Sequence, residues 1–156
     1  MAFYQFEREQ FIYTTIDELW NFISSPQNLK IITPDYMGFE ITSKNLPDKI
    51  YEGMIISYIV RPLFGIKTNW ITEITHIRDK SYFVDEQRVG PYKLWHHQHI
   101  IIPKNNGILM KDNVSYQPPL GILGVIANKL FINKKLNVIF DYRAIVLAKK
   151  YPMNKK

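Results

Sequence analysis

Between Met37 and Tyr116 the chain is a succession of short segments rich in β-branched and aromatic residues, cut by brief polar, proline or glycine breaks. The segments are Phe39–Thr42, Met54–Val60, Lys67–Ile77, Tyr82–Arg88, Leu94–Ile102 and Ile108–Tyr116. The breaks are Asn45–Asp48, Arg61-Pro62, Arg78–Lys80, Gly90-Pro91 and Lys104–Gly107. Such composition reads as strand, and such punctuation reads as turn. Connections this short leave no room for parallel crossovers, so the spacing predicts an antiparallel meander.

The flanks complete the plan. Residues 2–13 alternate, with Phe3, Phe6, Phe11 and Tyr13 among polar partners, which predicts a first strand. Thr15 and Glu18 fit a capping box, and Leu19, Trp20, Phe22 and Ile23 give the helix behind it an apolar face that Pro26 ends. A second short helix fits Pro26–Ile32. Leu120–Phe131 predicts another short helix, weakened by Gly121 and Gly124, and a longer one capped near Asn133 runs to about Lys150. In that helix Leu136, Ile139, Phe140, Arg143, Ile145, Val146 and Leu147 leave only a narrow polar side. A helix so apolar must be gripped, and the sheet is the only element able to do it. The order predicts an α+β domain over residues 1–156, a curved antiparallel seven-stranded sheet around its C-terminal helix, with a cavity between them.

The residues also exclude several chemistries. With no cysteine, disulfides, zinc–thiolate sites and thiol catalysis are ruled out. The N-terminus carries early acidic residues without an apolar run, no segment reaches the roughly 18 apolar residues of a membrane span, and a cytoplasmic protein without stable membrane insertion is expected. The formal charge of +6 raises nucleic acid or an anionic surface as partners. Its lysines are scattered, with small clusters at Lys134-Lys135, Lys149-Lys150 and Lys155-Lys156, and no nucleic-acid motif accompanies them. Nucleic acid is therefore not expected as a partner.

Three of the four histidines fall in Trp95-His96-His97-Gln98-His99. Alternation along a strand puts Trp95, His97, His99 and Ile101 on one face, with His96 and Gln98 on the other. A turn centred on Asn105-Asn106 sets His99 opposite Asp112, His97 opposite Val114 and Trp95 opposite Tyr116; a three-residue loop would send them to opposite faces. A turn at Gly90-Pro91 brings Phe83, Asp85 and Gln87 to the same wall. The candidate wall is Phe83, Asp85, Gln87, Trp95, His97, His99, Met110, Asp112, Val114 and Tyr116, with Phe140 and Phe131 closing it from the helix and Tyr36 and Met37 at the mouth. Its polar centre has three readings. Asp85 and Asp112 can satisfy the histidines as a structural network, which is preferred. A metal could bind, but no HExxH-type spacing supports it, so no metal and no cofactor are expected. A His–Asp pair could also move protons. Trp20 is expected in the core and His76 near an exposed strand end, while the direction of Trp70 is left open. The loop Pro62–Gly65 reads as a tight turn in preference to a lid or a membrane-touching tip.

The motifs carry a resemblance. Pro26-Gln27-Asn28-Leu29 with Ile32-Thr33-Pro34, Phe83–Gln87 with Gly90-Pro91-Tyr92, the histidine segment, Met110–Tyr116, Gly121–Gly124 and Ile139–Arg143 together resemble a bacterial ligand-binding branch of the SRPBCC superfamily. That superfamily contains the START lipid-transfer domains, the polyketide cyclases and the birch-pollen allergens. The resemblance implies a helix-grip fold and an internal cavity for a hydrophobic or aromatic small molecule, lipid-like compounds included. It transfers no catalytic residue, and a cyclase- or dehydratase-type enzyme using the His–Asp pair is the rival reading.

Overall fold

The computed structural model describes residues 3–61 and 65–153. The turn expected at Pro62–Gly65 lies mostly outside them. Strand β1 (Tyr4–Ile12) leads into helix α1 (Ile16–Ile23), followed by two short 3-10 turns at Pro26–Lys30 and Asp35–Met37. Strands β2 (Glu40–Ile41), β3 (Ile55–Val60), β4 (Thr68–Arg78), β5 (Tyr82–Val89), β6 (Leu94–Lys104) and β7 (Gly107–Gln117) follow. The chain ends in helices α2 (Gly121–Ala127) and α3 (Asn133–Lys150), joined by a π-helical turn at Asn128–Ile132.

Every neighbouring pair is antiparallel, and the sheet order is β1-β7-β6-β5-β4-β3-β2. The meander thus supplies six strands in sequence order, and β1 returns to pair with β7 along its whole length, from Tyr4–Tyr116 to Ile12–Ile108. Strand β2 is shorter than its composition predicts. The backbone N–H groups of Thr42 and Ser43 both bond to the Ser57 carbonyl, so the ladder loses its alternation and the strand stops.

Helix α1 begins on the capping box. The Thr15 hydroxyl accepts from the Glu18 N–H at 3.2 Å, and the Glu18 carboxylate accepts from the Thr15 N–H. Its buried side, Leu19, Trp20 and Phe22, joins Ile12, Ile74, Phe83, Ile101 and Leu147 in the largest core cluster. Trp20 meets Phe83 edge-on at 6.1 Å and is a core residue.

The C-terminal region departs from two separate helices. Ile132 and Asn133 both have right-handed helical dihedrals, so Asn133 caps nothing and the helix continues through the π-turn. Asn is tolerated in a helix interior when tertiary packing outweighs its weak preference for caps. The inward stripe of α3 is Leu136, Phe140, Arg143 and Leu147, while Val138 and Ile145 face outward. This spacing of four, three and four residues follows one helical face. The apolar circumference read from the sequence therefore divides differently: of its members Ile145 is exposed, and the charged Arg143 is buried. Arg8 of β1 forms a salt bridge with Asp141, and the Gln10 side chain donates to the Ala144 carbonyl at 2.8 Å, fastening α3 across the sheet edge.

Candidate functional site

The hairpin register positions the site. Across β6 and β7, His99 stands opposite Asp112, His97 opposite Val114 and Trp95 opposite Tyr116. The pairing Lys104–Gly107 leaves Asn105-Asn106 as the turn, with Asn106 at φ +67° in the left-handed region that asparagine tolerates. Across β5 and β6, Phe83 pairs with His99 and Asp85 with His97. Period-two alternation then puts Asp85, His97, His99 and Asp112 on the concave face, beneath Arg143 of α3.

These four side chains form a ring. Asp85 Oδ2 lies 2.9 Å from His99 Nε2 and 3.3 Å from His97 Nδ1. Asp112 Oδ1 lies 2.9 Å from His97 Nε2 and 2.9 Å from His99 Nδ1. The last contact is close but not aligned as a hydrogen bond, which leaves His99 Nδ1 an unpaired buried nitrogen. Arg143 closes the assembly, its Nη1 donating to Asp112 at 3.2 Å while the guanidinium stacks 4.7 Å over Phe140. The imidazoles of His97 and His99 are 3.8 Å apart, and Phe83 stacks on His99 at 4.1 Å.

Burial alone would favour the neutral forms of Asp85, Asp112 and His97, and their partners reverse that. Burial opposes ionisation of Asp85, but the His97 charge and the hydrogen bonds from both histidines hold its carboxyl well below the ordinary range. Burial likewise opposes ionisation of Asp112, and Arg143 with the two histidines lowers it well below that range. For His97 burial disfavours the proton, but the carboxylates of Asp85 and Asp112 overcome it and raise its pKa. With His97 protonated, two negative charges meet two positive ones. A ring balanced in this way is costly to break and inexpensive to keep.

The balance decides what chemistry the ring favours. Both His97 nitrogens face carboxylates, which only accept, so both must donate and His97 keeps no lone pair for abstracting a proton, while the unpaired ring nitrogen, His99 Nδ1, is buried against Asp112. Asp85, His97 and His99 each bring one ligand atom within 4.8 Å of the others, a spacing that could gather round a cation. A metal there would first have to expel a proton that two carboxylates hold on His97. The network reading is the one these energetics favour.

Linkage gives a testable pH profile. The depressed Asp85 and Asp112 contribute stability above the unfolded carboxyl value of 3.8, and lose it as pH falls below that value towards their folded ones. The raised His97 contributes below its unfolded value of 6.5, and loses its share as pH rises through its folded one. Stability measured by urea unfolding should therefore peak between these limits. Asp85→Asn should flatten the acid limb and His97→Gln the alkaline one. A profile unchanged by either substitution would refute the ring.

Above the ring lies a cavity of about 150 Å³. Its wall includes Phe83, Asp85, Trp95, His97, His99, Met110 and Phe140 from the predicted set. Four predicted residues do not reach it. Gln87 is turned to the β5–β6 connection, where its amide donates to the Tyr92 carbonyl at 2.7 Å and accepts from the Tyr92 N–H. Asp112 sits behind the histidines, at the Arg143 side. Val114 and Tyr116 are occupied by packing against Phe6, Ile132, Leu136 and Phe140, and the Tyr116 hydroxyl donates to Asn128 at 2.8 Å. Of the rim candidates Met37 lines the cavity, whereas Tyr36 and Phe131 are exposed.

Several lining residues were not assigned to the wall from the sequence, Trp70 because its direction was left open. Trp70 points inward, its indole N–H donating to Thr72 Oγ1 at 3.0 Å, and Tyr58 shares the same hydroxyl at 3.0 Å. Burial and the nearby Asp85 raise the Tyr58 pKa, keeping the phenol neutral. Of the two register shifts between β4 and β5, the first adds Arg88 to β5 and leaves Trp70, Thr72 and Ile74 buried in alternation, while the second adds Thr75 to β4 and breaks the alternation there. His76, beyond the second shift, is exposed. Arg143 was legible in principle, because it shares the helical stripe of Leu136, Phe140 and Leu147.

No protein-family model matches the sequence, and no curated protein does. Solved structures match throughout. A Chromobacterium violaceum protein superposes with a TM-score of 0.69 at 10% identity, covering 94% of this chain and 96% of its own. A Thermus thermophilus protein gives 0.67 at 14%, covering 94% and 95%. The ginseng major latex-like protein 151 of Panax ginseng gives 0.66 at 8%, covering 96% and 98%. This is the helix-grip fold. At such identities the helix-grip likeness establishes architecture alone, and the chemistry of the site has to be argued from its own residues.

Proposed function

We propose that this helix-grip chain, acting as one domain, binds a single small aromatic or apolar molecule in the cavity between sheet and α3. The supporting observation is an apolar cavity with a fixed polar floor. Tyr58, Trp70, Trp95 and Phe140 supply flat apolar contact, while His99, Asp85 and Thr72 offer a few polar atoms at one end. That combination of broad apolar surface and few oriented polar groups is what small-molecule sites require. The volume restricts the ligand further. A cavity of about 150 Å³ accommodates a benzene-sized ring, so one ring with a polar substituent fits and a long acyl chain does not. Because the histidine ring is closed on itself, its role in this reading is to hold and orient the ligand rather than to convert it.

Native mass spectrometry of freshly purified protein should reveal an adduct of small organic mass that is lost on denaturation. A panel of substituted single-ring compounds should raise the melting temperature, and Ile139→Trp, which adds bulk at the helix side of the cavity, should remove that response. His99→Gln should weaken binding only modestly. Turnover abolished by His97→Gln with affinity retained would instead make the site that of a proton-moving enzyme. If no compound of this size shifts the melting temperature, and no adduct is found, the proposal is wrong.

A further inference from the structure

Helix α2 and the π-turn after it are inside out. The residues facing the protein are Gly124, Asn128 and Ile132, at spacings of four. The residues facing outward include Ile122, Leu123, Ile126 and Leu130, which are 81%, 65%, 50% and 56% exposed. Leu120 ahead of them is 72% exposed. Polar Asn128 is buried and bonded to Tyr116, while the large aliphatic side chains stand in water. An ordinary surface helix has the opposite arrangement.

The orientation is fixed rather than incidental. A Cβ on Gly124 would lie 2.0 Å from the Pro119 carbonyl oxygen and 3.1 Å from Pro118 Cβ, so only glycine lets the helix sit this close to the preceding segment. Leu120 adopts φ +64°, a left-handed conformation that a leucine takes at a cost. Backbone geometry and the Tyr116–Asn128 bond both hold the aliphatic side outward. A contiguous apolar surface maintained against these costs marks a docking face.

Charge identifies what docks there. From Asn113 to Phe140 the chain has no acidic residue, whereas Lys129, Lys134 and Lys135 lie along the same stretch. Lys129 and Lys134 are exposed, and Lys135 sits 4.6 Å over the exposed ring of Tyr36. An aliphatic face whose own stretch of chain carries lysines and no acidic residue complements an anionic lipid surface, with the aliphatic groups entering the acyl boundary and the lysines at the headgroups. We propose that α2 and its π-turn dock on an anionic lipid surface. No helix among the described residues is long and apolar enough to cross a membrane, so docking is peripheral. It requires no occupant in the cavity, and a failed ligand screen leaves it unaffected.

Flotation of the full chain with vesicles tests this. Protein should float with phosphatidylcholine vesicles containing roughly 30% phosphatidylglycerol and far less with phosphatidylcholine alone. Raising salt from about 0.05 M to about 0.5 M should weaken the association, because screening shortens the reach of the lysines. The double substitution Ile122→Glu and Leu123→Glu should reduce partitioning about tenfold or more, since it removes inserted aliphatic surface. Ile145→Glu, on the exposed side of α3, should leave partitioning unchanged and serves as the control for added negative charge. The proposal is overturned if the protein floats with neither vesicle, or if the double variant floats as well as the parent. It is equally overturned if Ile145→Glu loses as much, or if light scattering finds a dimer that the double variant splits, which would make a second copy the occupant.

Discussion

Arg143→Met should lower the unfolding free energy by about 3–5 kcal/mol, a large share of the stability of a domain this size. The substitution keeps the helix and most of the side-chain bulk but leaves Asp112 buried without its guanidinium. It also removes the stacking of that group over Phe140. Urea unfolding provides the measurement. Arg143→Lys should recover part of the loss, because it restores charge without the planar stack. Adding Asp112→Asn to Arg143→Met should cost less than the two separate losses combined, since the uncompensated charge disappears with its partner. A loss below about 1 kcal/mol would mean that the histidines alone balance both carboxylates.

Phe140→Ala should cost about 3–5 kcal/mol as well, and it should change what the cavity accepts. Phe140 is 2% exposed, packs on Phe6 at 4.9 Å and on His97 at 5.6 Å, and forms part of the cavity wall. Its removal joins the space of one aromatic ring to the cavity. In thermal-shift measurements two-ring compounds should then stabilise the variant more than they stabilise the parent. If the variant is destabilised but selects the same ligands, the wall has collapsed into the gap and the cavity is not shaped by this residue.

The architecture was legible because its signals were local. Most turns carry their own glycine, proline or asparagine, the β4–β5 turn at Asp79-Lys80 excepted, and β3 to β7 are long enough to be recognised by composition. The histidine ring depended on a more delicate quantity, the register of one hairpin. With Asn105-Asn106 as the turn the four groups meet; one residue more would have separated them. Where the reading failed, the deciding contact lay outside the residue's own strand or helix. Nothing near Gln87 indicates that its amide is spent on the Tyr92 backbone, and nothing near Tyr116 indicates that its hydroxyl is spent on Asn128. Asn133 resembled a cap because caps favour asparagine, yet packing carries the helix through it. The outward aliphatic face of α2 was hidden for a similar reason, since the contacts of Gly124 with Pro119 and of Asn128 with Tyr116 fix which side turns inward.

The pairing of β1 with β7 has a consequence for how the molecule comes into being. Among the described residues, the strand that comes first in sequence has as its only sheet partner the strand that comes last. While β2 to β6 pair progressively with the strand just before them, β1 waits, and its apolar side has no sheet to rest on. Closing so long a loop is entropically slow, and it sets the pace of folding. The floor of the cavity needs Asp112 from β7, and its roof needs Phe140 and Arg143 from α3. The cavity is therefore complete only after these late elements have joined the sheet, and concealment of the apolar surface depends on that closure.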